Sequence, residues 1–241
     1  MIGLTFHPAG NFVTLDVTVD EVPDLTGVVQ TARRLLDLDA DPASIDAALS
    51  ADPTLGPLVR AVPGIRLPGS VDGFELAVRA IVGQQVSVRA ARTLAGRIVA
   101  ATGSRLEGSP RDDGITHLFP APEQLAPQPL VSIGLTPGRA STIRQLAEMV
   151  ATDKLDLSGA SDTGATLETL QRIPGVGPWT AAYIAMRALR EPDAFPASDL
   201  GVRVAFERLG LPATPAAIRE RGERWHPWRG YAVMHLWNAE R

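Results

Sequence analysis

Three groups of residues in the last third of this 241-residue chain could do chemistry together. Leu167-Glu168-Thr169-Leu170-Gln171-Arg172-Ile173 runs into Pro174-Gly175-Val176-Gly177-Pro178 and out through Trp179-Thr180-Ala181-Ala182-Tyr183-Ile184. Two glycines around one small apolar residue let a backbone turn sharply between two helices. The N–H groups of such a turn, and of the helix start after it, point outward as unpaired donors. They form a small anion site suited to a phosphate; the same string would also serve as a tight interhelical turn with no ligand. Asp199, in Phe195-Pro196-Ala197-Ser198-Asp199-Leu200, precedes a further helical stretch. Its carboxylate is either that helix's N-cap or a group held ready for a cation or a water molecule. All four tryptophans and both tyrosines follow Pro178. Trp179 and Tyr183, spaced i, i+4, share a helix face. Such rings either fill a core or stack on a flat, electron-poor ligand; Trp225 and Trp228 fit the core better.

The elements that must position these groups are mostly helical. Residues 13–20 alternate apolar and polar, the pattern of a strand with one buried face. Residues 2–6 supply its hairpin partner across Pro8-Ala9-Gly10-Asn11. Asp24 can cap a helix through Leu38, and Asp41-Pro42 and Pro53 start short ones. The apolar periodicity over 71–101 is broken at Gly83-Gln84-Gln85-Val86, so two helices are expected there, the second capped by Ser87. Residues 103–122, rich in Gly, Pro and Asp, read as a surface loop. Further helices are expected over 122–130, 138–152, 164–173, 178–190 and 199–209, with two more starting at Thr214 and Trp228. Many short helices with tight Gly/Pro turns give an irregular α bundle. Two strands and one helix are few for a free-standing domain.

Composition removes several chemistries. There is no cysteine, which excludes disulfides, thiolate metal sites and cysteine-ligated iron–sulfur clusters. His7, His117, His226 and His235 lack metal-ligand spacing; His235 reads as a packed or hydrogen-bonded core histidine. Neither a Gly-x-x-x-x-Gly-Lys loop nor a dinucleotide fingerprint is present. The net charge of −4 is not that of a generic nucleic-acid binder. It is unevenly spread: residues 1–60 hold three arginines against nine acids, whereas residues 165–241 hold ten arginines against eight. A polyanion would therefore prefer the later part. No apolar run approaches the ~18 residues of a membrane span, and the start lacks a basic stretch followed by an apolar core. The chain reads as a soluble intracellular protein.

Leu-x-x-Ile-Pro-Gly-Val-Gly-Pro-Trp-Thr-Ala over 170–181, with Asp199 downstream, resembles the helix–hairpin–helix DNA glycosylase superfamily. Gly83-Gln84-Gln85-Val86-Ser87 and Trp228-Arg229-Gly230-Tyr231-Ala232-x-x-His235-Leu236-Trp237 are similar to its alkylpurine (3-methyladenine II, AlkA-type) branch. The resemblance implies a mainly α fold, a glycosylase bundle with a short N-terminal α/β remnant. That remnant would cover 1–48, a helical domain with the hairpin 74–191, and a second helical half 49–73 and 192–241. Members of the branch begin with a longer mixed α/β domain, so the chain is expected to be N-terminally short. The implied activity is a monofunctional DNA-3-methyladenine glycosylase II type hydrolase, cutting the N-glycosidic bond of alkylated, cationic purines in duplex DNA. A glycosylase for deaminated or mismatched bases, and a noncatalytic helix–hairpin–helix DNA-binding module, stand as alternatives.

Asp199 would then be the catalytic carboxylate, stabilising the cationic sugar as the C–N bond breaks. Trp179, Tyr183 and Trp237 would line the base pocket. Gly175, Val176 and Gly177 would donate backbone hydrogen bonds to a DNA phosphate, and Gln85 would be the wedge filling the gap left by the flipped base. The bland reading of 83–87 is a helix break whose glutamines cap backbone groups. Bifunctional relatives place a lysine where Trp179 stands, and the chain's only lysine is Lys154, so Schiff-base strand cleavage should be absent. Implied further are no cofactor, no metal, duplex DNA with alkylated bases as partner, no membrane, a monomer, and work in the bacterial cytoplasm or nucleoid.

Overall fold

Seven helices begin, among the described residues, where a short polar side chain closes the first turn. The computed structural model describes residues 2–7, 12–18, 24–106 and 115–239. The carboxylates of Asp41, Asp72, Asp162 and Asp199 and the hydroxyls of Ser87, Thr136 and Thr214 each accept a backbone N–H two or three residues on. Each cap satisfies a donor that the helix itself cannot. Proline in the first turn, as at Pro42, Pro137, Pro178 and Pro215, adds a preset φ where no N–H is needed.

Strands β1 (Ile2–His7) and β2 (Phe12–Val17) pair antiparallel, with Leu4 opposite Leu15. Val13, Leu15 and Val17 are half-buried and Phe12, Thr14 and Asp16 exposed, the expected single covered face, and β2 packs on α1 (Asp24–Leu35). The 8–11 turn, strand residues 19 and 20 and the Asp24 side chain lie outside the described residues, as does 107–114 of the expected loop. Helix α1 ends at Leu35, short of Leu38, because Asp37 takes a left-handed φ of 53°. The Asp37 carboxylate there accepts the Leu67 amide at 2.9 Å and the Tyr231 hydroxyl at 2.8 Å.

Among the described residues the further helices are α2 (Pro42–Ser50), α3 (Leu55–Ala61), α4 (Gly73–Val82), α5 (Val88–Thr102), α7 (Pro137–Ala151), α8 (Thr163–Gln171), α9 (Pro178–Arg187), α10 (Leu200–Arg208), α11 (Pro215–Gly222) and α12 (Arg229–Asn238), with the single turn α6 (Pro122–Leu125) between α5 and α7. The continuous helix expected over 122–130 is not formed. Pro127 and Pro129 have no N–H and crowd the preceding turn, so α6 stops at Leu125 and the chain resumes as a 3-10 turn, Leu130–Ile133, closed by Gly134 at φ +98°. Helix α4 is the centre of one half: Phe74, Ala77, Val78, Ala80, Ile81 and Val82 are buried, and it packs on α7 and α9. In the other half α12 packs on α3 and α10, with Trp225 1% exposed between Phe195 and Phe206. Trp225 is therefore core. The described residues contain no helix long and apolar enough to cross a membrane.

Candidate active site

The α8–α9 hairpin is built as its glycines dictate. Gly175 has φ +93°, a conformation that costs other residues about 1–2 kcal/mol. A Cβ there would stand 2.3 Å from the Thr142 hydroxyl oxygen. That hydroxyl lies 2.7 Å from the Pro174 carbonyl and 3.0 Å from the Gly138 carbonyl, fastening the hairpin to α7. Val176 differs from expectation: its N–H donates to the Ile173 carbonyl at 3.0 Å and its side chain is buried. It closes the turn from inside and has no amide left for a phosphate. The Gly175 and Gly177 amides make no backbone bond among the described residues, and Gly177 opens α9 without a capping side chain.

Three elements converge on Asp199. As N-cap of α10 its Oδ1 accepts the Val202 amide at 3.1 Å. The same oxygen accepts the Trp237 indole N–H from α12 at 2.7 Å, and Oδ2 accepts the Trp179 indole N–H from α9 at 2.8 Å. The cap reading of Asp199 holds, and the same carboxylate also receives both indoles. The residue is 9% exposed, and that remnant faces a cleft of about 780 Å³ bordered by Gln84, Gln85, Trp179, Ser198, Asp199 and Leu200, among others. No arginine pairs with the carboxylate among the described residues. Its charge is met by N–H dipoles alone, which leaves it available to a cation arriving from the cleft.

The expected rings take distinct places. Trp179 borders the cleft, and Tyr183 stacks on it with centroids 5.4 Å apart and planes 14° from parallel. Trp237 stands behind Asp199 as a hydrogen-bond donor instead of bordering the cleft. Gly201 makes room for it, since a Cβ there would meet the indole Cδ1 at 2.8 Å. His235 is a core histidine, 1% exposed.

Opposite the hairpin, Gln85 is exposed at the tip of the turn between α4 and α5, with φ 53°. Gln84 beside it ties the turn to the hairpin. Its amide donates to the Gly175 carbonyl at 2.9 Å and to the Thr180 hydroxyl at 2.8 Å, and Arg139 of α7 donates to the Gln84 carbonyl. The capping reading of the break holds for Gln84, across 91 residues of sequence. Turn, hairpin and α7 are thereby one hydrogen-bonded unit. A second groove of about 520 Å³, bordered by Arg139, Ser141, Thr142 and Gly175, lies on the other side of the Gln84–Gln85 wall.

A family profile described as "HhH-GPD superfamily base excision DNA repair protein" matches residues 78–229, and one described as the AlkA N-terminal domain matches residues 1–72. Over 236 residues the chain is 47% identical to a Mycobacterium tuberculosis protein named "Probable bifunctional transcriptional activator/DNA repair enzyme AlkA", covering 98% of this chain and 47% of that one. It therefore spans about half the length of that relative. It is 40% identical over 210 residues to DNA-3-methyladenine glycosylase 2 of Escherichia coli, covering 86% of this chain and 70% of that protein. A solved 3-methyladenine DNA-glycosylase from Archaeoglobus fulgidus superposes with a TM-score of 0.77 at 26% identity, over 93% of this chain and 77% of that one.

Proposed function

Because this chain belongs to the HhH-GPD superfamily of base excision DNA repair proteins, we propose that it is a monofunctional glycosylase that hydrolyses the N-glycosidic bond of alkylated, cationic purines in duplex DNA. On this reading it works as a monomer in the bacterial cytoplasm or nucleoid. The observation that carries the proposal is the Asp199 carboxylate, gripped by the Trp179 and Trp237 indoles and open to a cleft beside the Trp179–Tyr183 stack.

Extruding a nucleotide costs a few kcal/mol, and stacking on an aromatic face returns about 1–3 kcal/mol per base. Trp179 borders the cleft, and an electron-rich indole there would favour a positively charged purine. As the C–N bond stretches, positive charge moves from the base onto the sugar. Asp199 meets it with a negative charge that no fixed cation offsets, and orients the water that completes hydrolysis. A cationic base departs as a neutral purine and needs no acid, so one carboxylate suffices. The Gly175 and Gly177 amides would hold a phosphate of the lesion strand, and Gln85 would enter the duplex as the base leaves. With Trp179 at the hairpin and the chain's only lysine, the exposed Lys154, outside it, no lysine of the hairpin would serve as an amine nucleophile.

The test is release of free 7-methylguanine and 3-methyladenine from methylated duplex DNA. Wild type should release both, and Asp199→Asn should abolish release while duplex binding persists. Release by Asp199→Asn at the wild-type rate would reduce Asp199 to a helix cap and overturn the proposal.

A further inference from the structure

The residue after Asp199 is exposed in a way its chemistry does not favour. Leu200 is 69% exposed at the first position of α10, and it borders the same cleft as Asp199 and Trp179. Other large apolar side chains are exposed elsewhere, Val71 at 66% among them, but Val71 borders a separate cavity beside Arg34 and Arg190. The cap geometry explains why Leu200 stays out: the Asp199–Val202 bond fixes the first turn, and the N-cap side chain takes the inward position. Val202, Ala205 and Phe206 form the buried face of α10, leaving the first residue on the outer side.

From this placement, and resting on the function proposed above, we infer that Leu200 is a substrate-contact residue that packs on the deoxyribose of the extruded nucleotide. A nucleotide whose C1′ lies over the Asp199 carboxylate must bring its sugar past the next residue in the chain. Deoxyribose offers a carbon–hydrogen face without a hydroxyl at C2′, which matches an isobutyl group and suits burial against it. Closing the cleft rim with an apolar group also removes water from around Asp199, which strengthens the pull of the carboxylate on the developing cation. Leu200 therefore favours the extruded state and has no role on intact duplex, where no nucleotide enters the cleft.

The experiment is single-turnover release of 7-methylguanine across a range of enzyme concentrations, with Leu200→Ala, Leu200→Met and the control Val71→Ala. Burial of about a leucine side chain's worth of apolar surface predicts that Leu200→Ala raises the half-saturating concentration for lesion duplex by roughly tenfold. Affinity for undamaged duplex and the melting temperature stay at wild-type values. Leu200→Met recovers most of the loss, and Val71→Ala is silent. An unchanged half-saturating concentration in Leu200→Ala, or equal weakening on undamaged duplex, overturns the sugar contact while leaving the glycosylase reading intact. Absence of base release by the wild type itself overturns both.

Discussion

Replacing Trp237 by phenylalanine isolates one of the two indole grips on Asp199. The ring remains in place beside Gly201, while the donor 2.7 Å from Oδ1 is lost. Oδ1 keeps the longer Val202 amide bond, at 3.1 Å, and Oδ2 keeps Trp179. A hydrogen bond to a charged group is worth about 1.5–3 kcal/mol. At 1.36 kcal/mol per decade that corresponds to roughly 10–100-fold in rate if the whole loss falls on the transition state. Two effects compete. A carboxylate relieved of one donor has more charge density to offer the sugar, which would quicken release. It is also held less firmly, by the Val202 amide and the Trp179 indole alone, and a displacement of about 1 Å can cost on the order of 100-fold. Lost positioning outweighs the gain in charge density, so slower release is expected. The assay is single-turnover excision of 7-methylguanine at saturating enzyme, with lesion-duplex affinity measured in parallel. The maximal rate should fall at least tenfold with affinity within about threefold of wild type. A rate within twofold of wild type, in a variant that melts normally, would show that the indole does not hold the carboxylate for catalysis.

Other outcomes follow from contacts around the same cleft. Gly175→Ala forces a side chain into φ +93° and against the Thr142 hydroxyl; a penalty of at least about 1–2 kcal/mol should lower the melting temperature by roughly 2–4 °C per kcal/mol, with weaker duplex binding by fluorescence anisotropy. Gln84→Ala breaks the ties to Gly175 and Thr180; at about 0.5–1.5 kcal/mol each, lesion-duplex affinity should drop by about tenfold, and wild-type affinity would mean that turn and hairpin are placed independently. Burial pushes the His235 imidazole below its usual range, and Asp46, 4.0 Å away, opposes this only in part. The unfolded chain then binds the extra proton as pH falls through about 6.5, so the melting temperature should decline on acidification below that value. His235→Gln should flatten that part of the profile.

Some of this site was legible in the order of residues. The hairpin's two glycines announce a turn, and Asp41 and Ser87 announce helix starts, because both effects are local. Asp199 was legible as a cap or as a catalyst; only three-dimensional placement shows that the capping carboxylate also accepts an indole N–H at each oxygen. Trp237 was legible as an aromatic near the site but not as a donor to Asp199, because that bond spans 38 positions and depends on how α12 crosses α10. Gln84 was ambiguous for the same reason. The Val176 amide misled because the apolar residue between the glycines is buried, and a buried amide in a tight turn finds a carbonyl inside it. The proline-broken stretch after α6 was legible in principle, since Pro127 and Pro129 both lack the N–H a helix interior requires.

The second grip on Asp199 comes from almost the far end of the chain, and so does the Tyr231 hydroxyl that holds Asp37 across 194 residues. Contacts of such long sequence separation are slow to form, since closing the long intervening loop costs entropy before the contact offsets it. During synthesis the hairpin and the first indole leave the ribosome well before α12 does, and α12 also brings the buried Tyr231, Ala232, Val233 and Leu236 that pack toward α3 and α10. On the proposed function, competence for base release would therefore arrive only with the last helix, which completes both the core around α10 and the grip on Asp199.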